Sequence, residues 1–66
     1  MLLIKRKPGE AFLIQPADTL DPRTPIQDLF GSGPIKIQIR QINGIQVKVG
    51  IRADERFAII REELTE

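Results

Sequence analysis

From residue 35 to residue 52 the chain alternates aliphatic and polar side chains with a period of two. Ile35, Ile37 and Ile39 interleave with Lys36, Gln38 and Arg40, and Ile45, Val47, Val49 and Ile51 interleave with Gln46, Lys48 and Arg52. Neighbouring side chains of a strand point to opposite faces, so this pattern puts the aliphatics on one side and the charges and amides on the other. Two half-buried antiparallel strands are predicted. Asn43-Gly44 marks the turn between them. The simplest two-residue loop pairs Ile39 with Lys48 and sets the apolar faces on opposite sides. A three-residue loop of Ile42, Asn43 and Gly44, with Gly44 in the left-handed region, sets Gln41 opposite Ile45 and Ile39 opposite Val47 and restores one common buried face. Longer loops of the same parity serve equally.

Three further strands and one interruption complete the reading. Residues 2 to 6 and 11 to 15 are apolar-rich and are separated by Pro8-Gly9-Glu10, where a proline-fixed φ precedes a permissive glycine, a turn signal. A last strand, roughly Arg56 to Arg61, follows the polar corner Arg52-Ala53-Asp54-Glu55 and ends at Glu62-Glu63. Residues 16 to 33 break the β pattern. There Thr24 is an N-cap candidate, Pro25 suits the first helical position, and Gln27 completes a Thr-x-x-Gln capping box, with Gly31 able to close the helix. A helix over Pro25 to Phe30 spans about two turns and is unstable alone in water, so it must dock, with Ile26, Leu29 and Phe30 as its docking stripe. The fold class is mainly β: a five-stranded antiparallel chain with one short inserted helix, and a single domain over residues 1–66.

So short a chain needs help to stay folded. Sixty-six residues bury only about 60% of the surface that the unfolded chain exposes, and with no cysteine and no histidine neither a disulfide nor a zinc site of the Cys/His type is open to it. The remaining device is association, and a 41% hydrophobic content is more than one small core can hide. A homodimer is expected. Met1-Leu2-Leu3-Ile4 is apolar for only four residues before Lys5-Arg6-Lys7, too short for a signal peptide or a membrane span, so a cytoplasmic protein with no membrane partner is expected.

The net charge of +1 does not mark a nucleic-acid binder, but its distribution is uneven. Lys5, Arg6 and Lys7 place three cations together, and Glu62, Glu63 and Glu66 place three anions at the other terminus. Ile4-Lys5-Arg6 and Ile59-Ile60-Arg61 also repeat one pattern, an isoleucine followed two positions later by arginine on the same strand face. Each strand can thereby present an apolar platform beside a planar guanidinium, the combination that holds unpaired bases and their phosphates. Taken singly, each motif reads better as a core isoleucine with a strand-end surface charge, since such triplets are common in strands. The pair favours binding.

Catalysis is hard to assemble from this inventory. The single serine, Ser32, lies between two glycines with no base, and there is no histidine, cysteine or tyrosine. Glu62-Glu63 as strand neighbours face apart and Asp54-Glu55 sit at a turn, so the carboxylates read as solvated surface. Metal-ligand spacing and phosphate-binding glycine fingerprints are absent. No enzyme, cofactor, metal or small-molecule substrate is expected.

Two blocks of the sequence, Met1-Leu2-Leu3-Ile4-Lys5-Arg6-Lys7-Pro8-Gly9-Glu10 and the stretch from Ile45-Gln46-Val47-Lys48-Val49-Gly50-Ile51 to Ile60-Arg61-Glu62-Glu63-Leu64, resemble the carbon storage regulator (CsrA/RsmA) family of bacterial post-transcriptional regulators. With the strand from Ile35 onward, the likeness covers nearly everything outside residues 16 to 33, and the helix-bearing insertion there resembles the RsmN/RsmF type of that family. The resemblance implies an intertwined homodimeric β-sandwich or barrel in which the first strand of one protomer lies beside the last strand of the other. It implies two equivalent sites for GGA-containing mRNA or small regulatory RNA, usually in a hairpin loop. Position by position, it implies RNA contacts from Ile4, Lys5, Arg6 and Lys7 on the first strand and from Ile59, Ile60 and Arg61 on the last, with Arg61 foremost.

The match has departures. Lys5 stands where the family often has threonine, Lys7 where arginine is frequent, and Ile60 where histidine is common. Gln41-Ile42-Asn43-Gly44 lacks the first glycine of the family's Gly-x-x-Gly turn, and Ala53-Asp54-Glu55 puts two acids at the usual Ala-Pro-x corner beside the expected site. Two other readings fit a short, β-rich dimer: a DNA-binding swapped-hairpin regulator of AbrB-like type, and a protein-interaction module that has lost RNA binding.

Overall fold

A computed structural model describes residues 1–64; Glu66, counted above in the acidic terminus, lies outside the described residues. Five strands form, β1 (Leu2–Arg6), β2 (Phe12–Pro16), β3 (Lys36–Asn43), β4 (Gln46–Arg52) and β5 (Phe57–Arg61), with one helical turn, α1 (Ile26–Leu29), between β2 and β3 and a 3₁₀ turn at Glu62–Leu64. They make two antiparallel layers: a three-stranded sheet in the order β1-β4-β3 and a two-stranded ribbon β2-β5. The mainly β architecture with a short inserted helix is as expected.

The turn after β1 is built as its residues dictate. Gly9 takes a φ of 86°, the Glu10 N–H donates to the Lys7 carbonyl at 3.0 Å, and the Glu10 side chain accepts the Lys7 N–H at 2.8 Å. It does not make a hairpin. β1 pairs with β4, Ile4 opposite Val49, while β2 pairs with β5, Ile14 opposite Ile59, so the turn carries the chain from the sheet into the ribbon.

The β3–β4 hairpin corrects the predicted register. Asn43 pairs with Gln46 across a two-residue loop of Gly44 and Ile45, Ile42 faces Val47, and Ile39 faces Val49 rather than Val47. The parity conflict is solved inside β3, where the register shifts between Ile39 and Gln41 and Arg40 becomes the extra residue of a bulge. Gly44, at a φ of 60°, supplies the left-handed turn position, and Ile45 is spent on the exposed loop instead of the buried face.

Ile4, Val49 and Ile51 form the buried core, and Phe12, Val47 and Ile59 pack against it. Thus the ribbon covers β1 and β4. β3 lies beyond it.

The helix also differs from expectation. It is a single turn whose N-cap is Pro25, extended at a ψ of 141°, and no side chain caps it. The predicted capping box fails because the Thr24 N–H closes a turn onto the Asp21 carbonyl (2.9 Å), which keeps Thr24 outside the helix. Of the predicted stripe, Phe30 meets Phe57 with ring centroids 5.7 Å apart and Leu29 is half-buried, whereas Ile26 is exposed. One turn is too short to lay three side chains on one surface. Arg56 completes the docking: its Nη2 donates to the Asp28 carbonyl at 2.8 Å.

Candidate nucleic-acid interface

The terminal strands β1 and β5 flank one groove within a single chain. Leu2 shares a pocket with Phe57 at the start of β5, and Arg6 reaches Glu63 just beyond its end, so the two strands run the same way along opposite walls. At one end the groove is a cleft of about 160 Å³ between Leu2, Leu3 and Ile4 on β1 and Ile59, Ile60 and Arg61 on β5, with Leu64 beside them. At the other it widens to about 260 Å³ where Leu2 and Ile59 are joined by Met1, Phe57, Asp54 and Glu55. The resemblance places this meeting of strands across two copies. Here the tight turn after β1 sends β2 into the second layer, and β5, paired on β2, is delivered next to the β1 of its own chain.

The seven expected site residues divide into three groups. Ile4, Ile59, Ile60 and Arg61 line the cleft together. Ile4 is its buried floor, Ile60 stands opposite Leu13 on the far face of the ribbon, and Arg61 is exposed and forms no ion pair among the described residues. Arg6 is adjacent but its donors are committed. Nη1 and Nη2 donate to the two carboxylate oxygens of Glu63 at 2.8 and 3.0 Å, Nη1 also to the Ala11 carbonyl at 3.0 Å, and Nε to the Lys5 carbonyl at 2.7 Å. The Arg6 side chain is 11% exposed. Lys5, on the opposite face of β1, and Lys7, in the turn, are exposed outside the cleft.

Two arginine–carboxylate forks hold the ends of the groove. Hydrogen bonding from Arg6 pulls the Glu63 carboxyl from its ordinary 4.5 down to about 2. Glu63 is not the tail of a strand, as its sequence context implies, but part of the 3₁₀ turn, which is why it can reach back to β1. At the other end Arg56 Nε and Nη2 donate to the two oxygens of Asp54, each at 2.8 Å, and that hydrogen bonding brings Asp54 from 3.8 to about 2. Neither carboxylate is merely solvated surface. Sequence reasoning also missed Leu2, Leu3 and Leu64 as cleft walls, although the apolar N-terminus is the signal that could have found the first two.

A narrow apolar cleft with one unpaired guanidinium at its rim suits a flat, partly apolar ligand that carries negative charge. The sequence model of the CsrA family, described as a global regulator protein family, matches residues 1–66. The chain belongs to the CsrA family. CsrA proteins are post-transcriptional regulators that bind RNA and form homodimers, and the groove between β1 and β5 brings together four of the seven expected contact residues, Ile4, Ile59, Ile60 and Arg61. No curated protein and no solved structure matched the chain significantly. Among the described residues no helix is long and apolar enough to cross a membrane, and no cluster of acidic residues could hold a metal ion.

Proposed function

We propose that the chain acts in the cytoplasm as a homodimeric translational regulator that binds GGA-containing mRNA or small regulatory RNA, often in hairpin loops, and controls translation or transcript lifetime. The observation that carries this reading is the cleft itself. Ile4 and Ile59 offer an apolar surface to an unstacked purine, and Arg61 stands at its rim with its fork free for a phosphate or a guanine edge. Lys5 and Lys7 add charge to either side of β1. Arg6 contributes by holding the wall in place, and it reaches RNA only if Glu63 releases it.

Replacing Arg61 with alanine should weaken binding to a GGA hairpin about tenfold to a hundredfold, the scale of one good bidentate contact. The circular dichroism spectrum should not change. Equal affinities of the two proteins in a gel-shift titration would remove the cleft from the mechanism. Competition by duplex DNA that matches the hairpin would favour the AbrB-like reading instead, and a protein that binds neither would be an interaction module.

Dimerisation is supported by β3. Ile37, Ile39 and Ile42 lie on the same sheet face as the core yet are exposed, a continuous apolar row on an edge strand. A second copy laid on that row would enlarge a core that one chain leaves small.

A further inference from the structure

The net charge of +1 hides a segregation that the fold makes visible. β1, β3 and β4 together carry Lys5, Arg6, Lys36, Arg40, Lys48 and Arg52 and not one carboxylate, although the chain has nine. Arg6 turns inward to Glu63. The other five belong to the sheet's outer face, away from the ribbon. Lys5 stands opposite Lys48, and Lys36 opposite Arg52, so two like-charged pairs face each other directly across strands. Such pairs are destabilising in an isolated sheet. Between them the outer face is covered at Gly50 by the Met1 side chain, and Arg40, released by the bulge, lies beside it with Cδ 3.4 Å from where a Gly50 Cβ would be and Nη1 donating to Gln38 Oε1 at 3.2 Å. Among the described residues none of the five forms an ion pair.

Besides the apolar Met1 and Leu3 at its β1 edge, the remaining side chains of this face are the amides Gln38, Gln41, Asn43 and Gln46. Gln41, Asn43 and Gln46 join Lys5 and Lys48 around a polar hollow of about 40 Å³, comparable with the ~30 Å³ share of one water. Cationic tiers two residues apart are separated by about 7 Å along the strands. A row of cations with interspersed amide donors and no competing carboxylate is complementary to a phosphodiester chain. The face is also continuous with the cleft, because Leu3, a cleft wall, and Lys5 share the outer side of β1.

We propose that this outer face is a second RNA contact: a phosphate track, without base readout, for the single-stranded segment that flanks the bases held in the cleft of the same chain. The proposal rests on the function argued above and adds the part of the transcript that the cleft does not reach. It accounts for the uncompensated Lys5–Lys48 and Lys36–Arg52 pairs, which bound phosphates would neutralise.

The test compares two RNAs, an oligonucleotide just long enough to fill the cleft and the same sequence with unpaired flanks, across a salt series. Wild-type protein should bind the flanked RNA at least tenfold more tightly at low salt. Its log–log salt slope should be steeper by about 0.7 for each additional phosphate, roughly 2 for three contacts. The triple variant Lys36→Gln, Lys48→Gln, Arg52→Gln should lose that difference for the flanked RNA and keep the wild-type affinity for the short one. Removal of the like-charge pairs should leave its melting temperature equal or slightly higher, which guards against misfolding. Equal affinity and slope of the two RNAs for wild type would overturn the proposal while leaving the cleft intact, as would an equal loss on both RNAs in the variant. Flanks of duplex DNA that serve as well as single-stranded RNA would also overturn it. Failure of both RNAs to bind wild type would remove the functional reading and this one together.

Discussion

β3 and β4 carry nearly the same aliphatic alternation and lie side by side in one sheet, yet they end in opposite environments. Val49 and Ile51 are 6% and 1% exposed, whereas Ile39 and Ile37, their direct partners across the hairpin, are 60% and 52% exposed. Local pattern cannot produce that difference, because both strands present their isoleucines and valines to the same face. The cause is the width of the cover. A ribbon of two strands spans β1 and β4 and ends before β3, so half of an apolar face specified by sequence is left for something else to bury. Hydrophobic alternation therefore reports which face wants to be buried, and only the count of strands in the opposing layer decides which residues are.

The sharpest way to break this comparison is to cut equivalent side chains from each strand. Ile51→Ala should cost about 2–5 kcal/mol, a large part of the roughly 3–10 kcal/mol available to a chain of this length, and chemical denaturation should find much of that variant unfolded. Ile37→Ala should cost well under 1 kcal/mol if β3 faces water in solution. If a second copy covers it, Ile37→Ala should approach the cost of Ile51→Ala, and the environments of β3 and β4 become alike in the assembly.

Next in size is the effect on association. Ile39→Asp places a charge in the middle of the uncovered row while leaving the monomer's core untouched. Sedimentation should show the mass falling to that of one chain, and the melting temperature, which for a dimer rises with protein concentration, should lose that dependence. A wild-type protein that already sediments as one chain would show that β3 is a tolerated exposed edge.

Acid should act on both ends of the groove before it acts on the aliphatic faces. Glu63 and Asp54 each have a folded-state value near 2, below the ordinary 4.5 and 3.8, so the folded form binds protons less readily than the unfolded. Their contribution is fully present above about pH 4.5 and drains away as the pH falls toward 2. A melting series from pH 6 to pH 2 should show stability declining through that window. Glu63→Gln should flatten the upper part of the decline and Asp54→Asn the lower part. A wild-type curve that is level through this range would mean that neither fork contributes to folding.

Much of the fold was legible because period-two alternation and turn chemistry are local. The five strands, the turn at Pro8-Gly9-Glu10 and the need for a glycine with positive φ at Gly44 all follow from neighbouring residues. What failed was non-local or cooperative. The bulge at Arg40 depends on how the sheet reconciles its register with a two-residue loop, and nothing at Arg40 itself signals it. The capping box at Thr24 failed because a competing turn onto Asp21 took its N–H first. At the candidate site, the sequence singled out Ile4, Ile59, Ile60 and Arg61, which the fold brings to one cleft. It did not show that Arg6 is held by Glu63, since that pair spans the whole chain and depends on a 3₁₀ turn after β5. Repeated Ile-x-Arg spelling thus concealed two arginines in different electrostatic situations, one committed and one open.

The smallest expected effect concerns the insertion between β2 and β3, the one region whose stability is borrowed. A single helical turn has no cooperative hydrogen bonding of its own, so its position rests on the Phe30–Phe57 contact and the bond from Arg56 to the Asp28 carbonyl. Phe30→Ala removes the first and leaves the second, and should cost about 0.5–1.5 kcal/mol. Because the ribbon and sheet pack without this ring, the loss should stay local. Amide exchange should accelerate at Asp28 and Phe30, whose N–H groups bond to Pro25 and Gln27, while the β4 amides keep wild-type protection. Acceleration spreading into β4 would mean that the insertion helps to close the core from the side that the ribbon does not reach, and that the cover over β4 is wider than two strands.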